Sequence, residues 1–416
     1  MRGSGQTAAR LTEAQVRKLC ATEIATWNLR GRRVLALVPD HTRSAPMDLM
    51  FRVLHEVVAA EAAAFDVMIA LGTHPPLSDE AIDRRLGITA RDRGTRYART
   101  RFMNHRWRDP NHLVSIGTLD DREVEALSDG LLVEPVDVTI NKLALEYDVL
   151  FVVGPTFPHE VAGMSGGNKY LFPGISGQPI IDLFHWLGAL VTNPEIIGKK
   201  ETPVRRIIDR AASMVPVERR CASLVVEDGD LVGLYLGTPE EAWSAAADLS
   251  AAIHIRYEPR AYDSVLSCAP PMYDDLWVGG KCAYKLEPVV ADGGELVIYA
   301  PHISRISITH GETIRRIGYH VRDYFVGQMD RFRDVARGVM AHSTHVKGIG
   351  TYAGGVERPR ISVTLATGIG ESECRAVNLG YRDPRSIDPA RWAGGPGRLH
   401  VPRAGETLYR LARGGR

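Results

Sequence analysis

Three loops of the sequence combine acid–base side chains with glycine and proline, and each loop directly follows a short apolar run. The segment PDHTRSAP at 39–46 follows VLALV at 34–38, and GTHPPLS at 72–78 follows the second run. The third loop, 155–174, contains a histidine, a glycine-rich turn and a single lysine. Histidine is well suited to proton transfer near neutral pH, and lysine can act as a charge or as a nucleophile. The three loops are therefore candidates for one shared site.

The apolar runs predict a parallel sheet that positions these loops. Runs at 34–38, 66–72 and 148–154 lack polar alternation, which is typical of strands buried on both faces, and a helical pattern at 47–64 separates the first two. The carboxyl ends of parallel strands lie along one edge of a sheet, where ligands bind in α/β folds. We therefore expect the three loops to meet at that edge.

The length of the chain predicts more than one domain. With 416 residues, the chain is long enough for two cores. We predict an α/β fold made of two α/β domains, with a mainly parallel sheet in the N-terminal domain at 1–255 and the active site in the interdomain cleft. The second domain is expected at 258–403, with mostly helical structure at 312–340. Residues 404–416 are predicted to form a C-terminal helix that could pack back on the N-terminal domain.

Charge and cysteine usage argue against several classes of partner and location. The formal net charge is +1, so no global field favours nucleic acid or an anionic membrane. The basic segment 84–101 is interpreted as a solvated face, with an interaction surface as the alternative. Five cysteines without a CxxC pair favour free thiols in a reducing cytoplasm. No apolar run resembles a signal peptide or a membrane span, which predicts a cytoplasmic protein.

The glycine-rich loop at 163–170 is not a Walker A loop. One residue separates Gly167 from Lys169, and neither Ser nor Thr follows the lysine. The backbone N–H groups of Ser165, Gly166 and Gly167 could instead cradle an anion, with Lys169 beside it as a charge or a nucleophile. The alternative interpretation is a tight turn that carries an exposed lysine.

Three histidines are candidates for chemistry near this edge. His74 and His159 lie in loops, where an acid–base role is the sharper interpretation. His185 lies in the apolar segment IIDLFHWLGAL. A histidine in such a segment is usually a satisfied core residue, and a metal ligand is the alternative.

Together these motifs resemble the nickel-dependent lactate racemase family. The motifs DHTR, GTH and PHEVAGMSGGNKYLFPG, with His185 following at the expected distance, fit the family pattern. The resemblance implies a nickel-pincer nucleotide as cofactor, which is nickel pyridinium-3,5-bisthiocarboxylic acid mononucleotide. By the same resemblance the cofactor is attached covalently through Lys169, and His185 is the protein ligand to nickel.

The resemblance also implies roles for the other site residues. His74 and His159 correspond to the acid and base of the family. The residues assigned to the cofactor are Lys169, Asp40, Thr42, Ser165, Gly166 and Gly167. The residues assigned to the substrate are Arg43, Lys281, Trp277 and Val278.

The activity implied by the resemblance is racemisation or 2-epimerisation of a 2-hydroxy acid by reversible hydride transfer. Because the C2–H bond is weakly acidic, removing a hydride is easier than removing a proton, provided that a base takes the hydroxyl proton. Lactate-active members carry Tyr-Gln where this chain has Trp277 and Val278, and tryptophan presents a broad apolar wall. We therefore expect a substrate larger than lactate. Cofactor-biosynthesis proteins are the expected partners for loading, and the oligomeric state is left open.

Two other functions use the same residues. A metal-dependent hydrolase could employ the same histidines, although the sequence contains no HExxH motif. A non-catalytic relative could bind a nucleotide, although both His74 and His159 are present.

Overall fold

The apolar runs of the sequence form strands in a computed structural model that describes residues 1–7, 9–392 and 395–412. The strands are β1 (Arg2–Gly5), β2 (Arg33–Val38), β3 (Ala64–Ile69), β4 (Phe102–Asn104), β5 (Leu113–Leu119), β6 (Val136–Asn141), β7 (Val149–Pro155), β8 (Pro158–His159), β9 (Gly163–Met164), β10 (Glu218–Glu227), β11 (Asp230–Gly237), β12 (Ile255–Glu258), β13 (Tyr262–Cys268), β14 (Val290–Ala300), β15 (Gly350–Ala353), β16 (Val356–Pro359), β17 (Ser362–Thr367), β18 (Gly380–Tyr381), β19 (Arg398–Val401) and β20 (Leu408–Leu411).

Helices connect and cover these strands. The α-helices are α1 (Glu13–Ile24), α2 (Met47–Val58), α3 (Asp79–Leu86), α4 (Ala90–Gly94), α5 (Asp121–Leu127), α6 (Gln178–Val191), α7 (Asn193–Ile196), α8 (Pro203–Ser213), α9 (Pro239–His254), α10 (Leu276–Gly279), α11 (Lys281–Tyr284), α12 (Gly311–Ile317), α13 (Arg322–Val326), α14 (Arg337–Lys347), α15 (Glu371–Ala376) and α16 (Pro389–Trp392). Short 3₁₀ helices cover Ala25–Trp27, Pro110–His112, Lys142–Glu146, Gly167–Tyr170, Glu287–Val289, Met329–Phe332 and Pro384–Ser386.

The chain divides into two compact units that do not follow one another simply along the sequence. The first unit consists of Met1–Phe157, Met164–Ile181 and Arg205–Ile253. The second consists of Pro158–Gly163, Asp182–Val204 and the chain from His254 onward. The two short segments of the second unit therefore lie within the range that the sequence pattern assigns to the N-terminal domain.

The first unit contains a mainly parallel sheet, which confirms the predicted α/β fold class. The strand order is β1-β11-β10-β7-β2-β3-β4, and neighbours from β10 to β4 run parallel. Strands β11 and β1 continue the sheet in antiparallel fashion. Strand β2 lies inside the sheet and is apolar on both faces, because the successive side chains Leu35 and Ala36, which point to opposite faces, are both buried.

The order of the strands places the candidate loops at a switch point. From β2 the chain adds β3 on one side, and it later adds β7 on the other side. The loops that follow β2 and β7 therefore leave the carboxyl edge in opposite directions, and the crevice between such loops is where α/β sheets bind ligands. The loop after β3 lies next to them at the same edge.

The second unit contains its own parallel sheet, with strand order β18-β17-β14-β13-β19. The segment 312–340, predicted to be mostly helical, is divided into α12, α13, a 3₁₀ turn and the start of α14. Gly318, with φ +73°, follows the end of α12 in the left-handed region, which interrupts the predicted long helix.

The predicted C-terminal helix is wrong for the residues that the structure describes. Leu408–Leu411 form strand β20, which pairs in parallel with β12 in the second unit. Gly405 has φ +104°, which breaks a helical path, and the buried Leu408 and Tyr409 favour a strand. The rest of the predicted helix, 413–416, lies outside the described residues.

The helices of the described ranges are too short or too polar to span a lipid bilayer. All five cysteines lie in the described residues and are buried free thiols.

Candidate active site

The loops after β2 and β3 bring a carboxylate and an imidazole into contact in the first unit. His74 Nδ1 lies 2.5 Å from Asp40 Oδ2. The other carboxylate oxygen, Asp40 Oδ1, accepts the N–H of Thr42 at 3.0 Å and its hydroxyl at 2.7 Å. Asp40 is buried, whereas 26% of the His74 side chain is exposed. The pair therefore combines a fixed carboxylate with an imidazole that a ligand can reach.

Asp40 is ionised in this setting. Burial raises the pKa of Asp40, but the charge and hydrogen bond of His74, the hydrogen bond of Thr42 and the charge of Arg43 together hold that pKa well below its usual range. An ionised carboxylate only accepts hydrogen bonds, so Nδ1 of His74 carries the proton of this contact. Nε2 is then the nitrogen that is available for proton exchange.

Arg85, on α3, fixes the loop that carries the Asp40 carboxylate. Its guanidinium donates to the carbonyl oxygens of Pro39 at 3.4 Å, Arg43 at 2.9 Å and Ala45 at 3.4 Å. The interpretation of 84–101 as a solvated face is therefore wrong at this position. One arginine spans the whole loop because its planar fork presents several donors in fixed directions.

At two consecutive positions of the glycine-rich loop, only glycine fits. Gly166 has φ +90° and Gly167 has φ +59°, which lie in the left-handed region that side chains disfavour. A Cβ atom on Gly166 would lie 2.5 Å from Thr156 Oγ1, and one on Gly167 would lie 2.8 Å from Trp243 Cβ. Both glycines are therefore required by backbone conformation and by packing.

Two side chains from α8 and α9 brace this loop from one side. The Arg205 guanidinium donates to the carbonyl oxygens of Met164 at 2.5 Å and Gly166 at 3.3 Å. The Trp243 indole donates to the carbonyl of Ser165 at 2.8 Å, and Arg205 lies 4.0 Å above the Trp243 ring. Arg205 and Trp243 are positioning residues that belong to no sequence motif, because they lie far along the chain from the loop.

The structure contradicts the predicted anion cradle at one residue, Ser165. The N–H of Ser165 donates to the carbonyl of Phe157 at 2.7 Å, and the Ser165 hydroxyl accepts the N–H of Phe157 at 2.8 Å. Ser165 therefore closes the loop instead of contacting a ligand. The amides of Gly166 and Gly167 have no acceptor within the described ranges, so those two groups fit the predicted cradle.

Lys169 lies in a turn that is anchored through its neighbour. The Asn168 amide donates to Asp209 at 2.9 Å and to Glu240 at 2.8 Å, and its oxygen accepts a hydrogen bond from Arg219 at 2.8 Å. The N–H of Lys169 donates to the carbonyl oxygen of Gly166, in the same turn, at 3.3 Å. Lys169 is half-buried, which disagrees with the alternative of an exposed lysine on a surface turn.

The loops after β3 and β7 are joined within the first unit. The N–H of Gly72 donates to the carbonyl of Gly174 at 3.0 Å. Tyr170 is buried, and its hydroxyl occupies the space above Gly154, where a Cβ atom would lie 1.8 Å away. Burial raises the pKa of Tyr170 above its usual range, and the positive charges of Arg43 and Arg85 offset only part of this increase. The loops after β3 and β7 therefore meet at one edge of the sheet.

His159 lies in the second unit, and its Nδ1 nitrogen accepts hydrogen bonds. The donors are the backbone N–H groups of Val161 at 3.1 Å and Ala162 at 3.5 Å. The carboxylate of Glu160 lies 3.4 Å from the same nitrogen, which is close enough for an ion pair when the ring is protonated. His159 is buried, and Glu160 is partly exposed.

The predicted substrate residues of the second unit lie on one helical segment. Asp275 caps α10, because its Oδ1 accepts the N–H of Val278 at 3.0 Å and its Oδ2 accepts the N–H of Ile308 at 2.9 Å. Lys281, at the start of α11, is buried, and its ammonium lies 4.8 Å from the centroid of the Tyr273 ring. Val278 is also buried.

Trp277 lies between two imidazole rings. Its ring centroid is 4.4 Å from that of His310 and 3.9 Å from that of His342, and the His342 ring is nearly parallel to the indole. Burial, followed by the charge of His345, lowers the pKa of His342 to about 3, so this ring is neutral near pH 7. The two flanking histidines are not part of any motif in the sequence.

His185 offers a single imidazole at the partly exposed face of α6. Asp182, one turn earlier on the helix, accepts the N–H of Gly338 at 2.9 Å, which joins α6 to the start of α14. A Cβ atom on Gly338 would lie 3.9 Å from His185 Cβ. Within the ranges that the structure describes, no group of three or more His, Cys, Asp or Glu side chains is placed to hold a metal ion.

The sequence is similar to that of known racemases. Residues 5–196 match the model of the lactate racemase N-terminal domain. The lactate racemase of Thermoanaerobacterium thermosaccharolyticum is 24% identical over 274 residues, or 65% of this chain, and that of Lactiplantibacillus plantarum is 25% identical over 224 residues, or 53% of this chain. The matched segments span 60% and 48% of the lengths of these two relatives.

Solved structures share the fold over nearly the whole chain. A Thermotoga maritima protein is 32% identical, with a TM-score of 0.90 over 98% of this chain and 100% of that chain. The lactate racemase apoprotein of Thermoanaerobacterium thermosaccharolyticum has a TM-score of 0.72 at 19% identity, over 97% of this chain and 94% of that chain. The matching model therefore identifies residues 5–196 as a lactate racemase N-terminal domain, and the solved structures show that the shared fold extends over nearly the whole chain.

Proposed function

We propose that the protein is a racemase or 2-epimerase of a 2-hydroxy acid larger than lactate, and that it uses reversible hydride transfer with a nickel-pincer nucleotide attached to Lys169. The observation that carries this proposal is the ionised Asp40 that fixes the tautomer of His74, at the same sheet edge as the turn of Gly166 and Gly167. An oriented acid–base histidine beside an anion-binding turn is typical of a catalytic site. It favours catalysis over simple nucleotide binding.

The described residues fit the proposed cofactor. The free amides of Gly166 and Gly167 suit an anionic group, and Lys169 offers a primary amine from an anchored turn. His185 supplies one imidazole nitrogen, which suits a metal whose other donors belong to a cofactor. When bound, the nickel-pincer nucleotide supplies a hydride acceptor.

The residues of the chain then bind the acid and move its hydroxyl proton. His74 Nε2 takes or returns this proton, while Asp40 stabilises the imidazolium that forms. His159 is assigned the same task for the opposite face of the substrate. Arg43 and Lys281 are assigned to the substrate carboxylate, which Arg43 is able to bind in bidentate fashion.

Protein produced together with the cofactor-biosynthesis proteins tests this function. One enantiomer or epimer of each 2-hydroxy acid in a series is supplied by itself. Chiral chromatography then measures how much of the opposite enantiomer or epimer is formed. Because hydride transfer returns the same hydrogen, substrate deuterated at C2 should keep its label in ordinary water. Wholesale exchange of that hydrogen with solvent would argue against hydride transfer. Full turnover in a nickel-free preparation would support the hydrolase alternative instead.

The proposed setting is the cytoplasm, and the proposed partners are a small 2-hydroxy acid and the proteins that load the cofactor. The five buried free thiols suit a reducing compartment. Measuring cofactor occupancy with and without the biosynthesis proteins tests the second part of this proposal.

We predict that lactate is a poor substrate. A buried valine at position 278 cannot donate to the substrate carboxylate, and losing a hydrogen bond to a charged group costs about 1.5–3 kcal/mol, or roughly 10–150-fold in kcat/KM. The Val278→Gln variant should raise kcat/KM for lactate relative to larger acids, whereas Val278→Leu should not. A wild-type kcat/KM for lactate above that of every larger 2-hydroxy acid would contradict the prediction.

The Arg85→Met variant should lower turnover by roughly 10²-fold, the scale of effect that a misplacement of about 1 Å has. The reason is that the loop carrying Asp40 loses three hydrogen bonds and its carboxylate shifts away from His74. Arg84→Met, on the exposed side of the same helix, is the matched control. Equal turnover of the two variants, measured with equal cofactor occupancy, would show that Arg85 does not position the loop.

A further inference from the structure

We propose that Glu160 is a positioning residue that makes His159 competent for proton exchange, as Asp40 does for His74. This inference rests on the proposed function, because it concerns the proton of the substrate hydroxyl. Each of the two proposed acid–base imidazoles, one in each unit, then has a carboxylate beside its Nδ1 nitrogen. In one pair the carboxylate is hydrogen-bonded at 2.5 Å, and in the other it lies 3.4 Å from Nδ1.

The hydrogen bond at Nδ1 of His159 defines the present tautomer. A backbone N–H only donates, so the N–H of Val161 at 3.1 Å requires a lone pair on Nδ1. A neutral His159 therefore carries its proton on Nε2. In that state Nε2 cannot accept the substrate proton, and giving its own proton away would leave an imidazolate. The ring as it stands is a hydrogen-bond donor and neither an acid nor a base.

Proton exchange requires a proton on Nδ1, and that proton needs an acceptor. Glu160 Oε2 lies close enough to take the Nδ1–H after a small rotation of the ring away from Val161. His159 then presents a lone pair at Nε2. During oxidation of the substrate the O–H bond breaks, the Nε2–H bond forms, and the hydride leaves C2 for the cofactor named above. The resulting imidazolium is paired with the Glu160 carboxylate, and the return step reverses each change.

The other charged groups near this segment act differently. The Lys285 ammonium is buried and donates to the carbonyl of Pro158 at 2.5 Å, so it fixes the backbone and disfavours a positive charge nearby. His342 and His345 interact electrostatically with Glu160. Burial is the main reason that the pKa of His342 is lowered to about 3 and that of His345 to about 4. Both rings are therefore neutral near pH 7, so they add no positive charge that opposes the effect of the Glu160 carboxylate on His159.

Stereochemistry separates a role in positioning His159 from a general structural role. The test measures single-turnover formation of 2-oxo acid from each enantiomer by loaded wild type, Glu160→Gln, His159→Gln and Asp40→Asn. Glu160→Gln should slow oxidation of one enantiomer by roughly 10–10²-fold, and it should be the enantiomer that His159→Gln slows. Asp40→Asn should slow the other one. Glu160→Asp should recover part of the rate, and Glu195→Gln, at an exposed glutamate of the same unit, should change neither.

A second readout is independent of turnover. In cofactor-free protein, ¹⁵N spectra of histidine report whether Nδ1 of His159 carries a proton. We expect wild type to gain this proton as the pH is lowered, and Glu160→Gln to gain it only at a lower pH. Equal slowing of both enantiomers, with unchanged protonation of Nδ1, would overturn the proposal for Glu160. If wild type turns over no 2-hydroxy acid, the proposed function fails, and the ¹⁵N result still decides the role of Glu160.

Discussion

Lys169→Ala is expected to abolish covalent cofactor attachment and reduce turnover to background. The side chain is the proposed anchor, and the turn that carries it is held in place by the hydrogen bonds of Asn168. Intact mass of loaded wild type should show an added mass, and peptide mapping should place it on Lys169. Both signals should be missing in the variant.

Two controls separate attachment from charge. Lys169→Arg keeps the positive charge but lacks the primary amine, so it should also lose the adduct. Lys199→Ala removes an exposed lysine of the second unit and should keep both the adduct and the activity. Full activity of Lys169→Ala would contradict the assignment of Lys169 as the anchor.

The three candidate histidines should separate into two classes of effect. His74→Ala and His159→Ala are expected to keep nickel but to lose roughly 10²–10⁴-fold in rate, the usual contribution of general acid–base catalysis. His185→Ala should instead lose nickel, because it removes the proposed protein ligand. Metal analysis of loaded, desalted protein alongside the rates distinguishes the two classes.

His105→Gln is the control for these substitutions. It changes a buried histidine of the first unit whose ring nitrogens are occupied by Ser176 at 2.9 Å and Asn141 at 3.1 Å. It should reduce stability and leave the nickel content of the folded protein unchanged. Equal loss of nickel in His74→Ala, His159→Ala and His185→Ala would mean that the roles are wrongly assigned.

Local pattern was sufficient to predict the sheet edge of the first unit. Apolar runs without alternation indicated buried parallel strands, and strands β2, β3 and β7 are parallel neighbours in the structure. Ligands bind at the carboxyl ends of such strands, and this rule predicts that Asp40 and His74 lie at one edge. Their hydrogen bond confirms that the two loops meet.

Two further features carry a local signal in the sequence. The hairpin of β10 and β11 turns at Asp228 and Gly229, which have φ +51° and +91°. An Asp-Gly pair between two apolar runs is a strong signal for such a hairpin. The strand at 408–411 likewise follows a glycine and contains β-favouring residues, although its short length resembles a helical turn.

The braces of the site could not be predicted from local pattern. Arg205 and Trp243 reach the glycine-rich loop through tertiary contacts, and their own segments read as ordinary amphipathic helices. Arg85 belongs to a run of basic residues in which most side chains are solvated, and only the position of the loop after β2 distinguishes it. Side chains that act through backbone carbonyls of a distant loop have no sequence motif.

The interleaving of the two units constrains the order in which the protein acquires its structure during synthesis. The segment 182–204 emerges from the ribosome before its partners: the Asn193 amide donates to the carbonyl of His345, and Arg410 donates to the carbonyl of Ile197. Ile196 and Ile197 are fully buried in the finished protein, and they belong to a compact unit most of which, from His254 onward, is made later. A nascent or truncated chain that stops near residue 255 is therefore a natural client for chaperones and a poor candidate for expression as a separate domain.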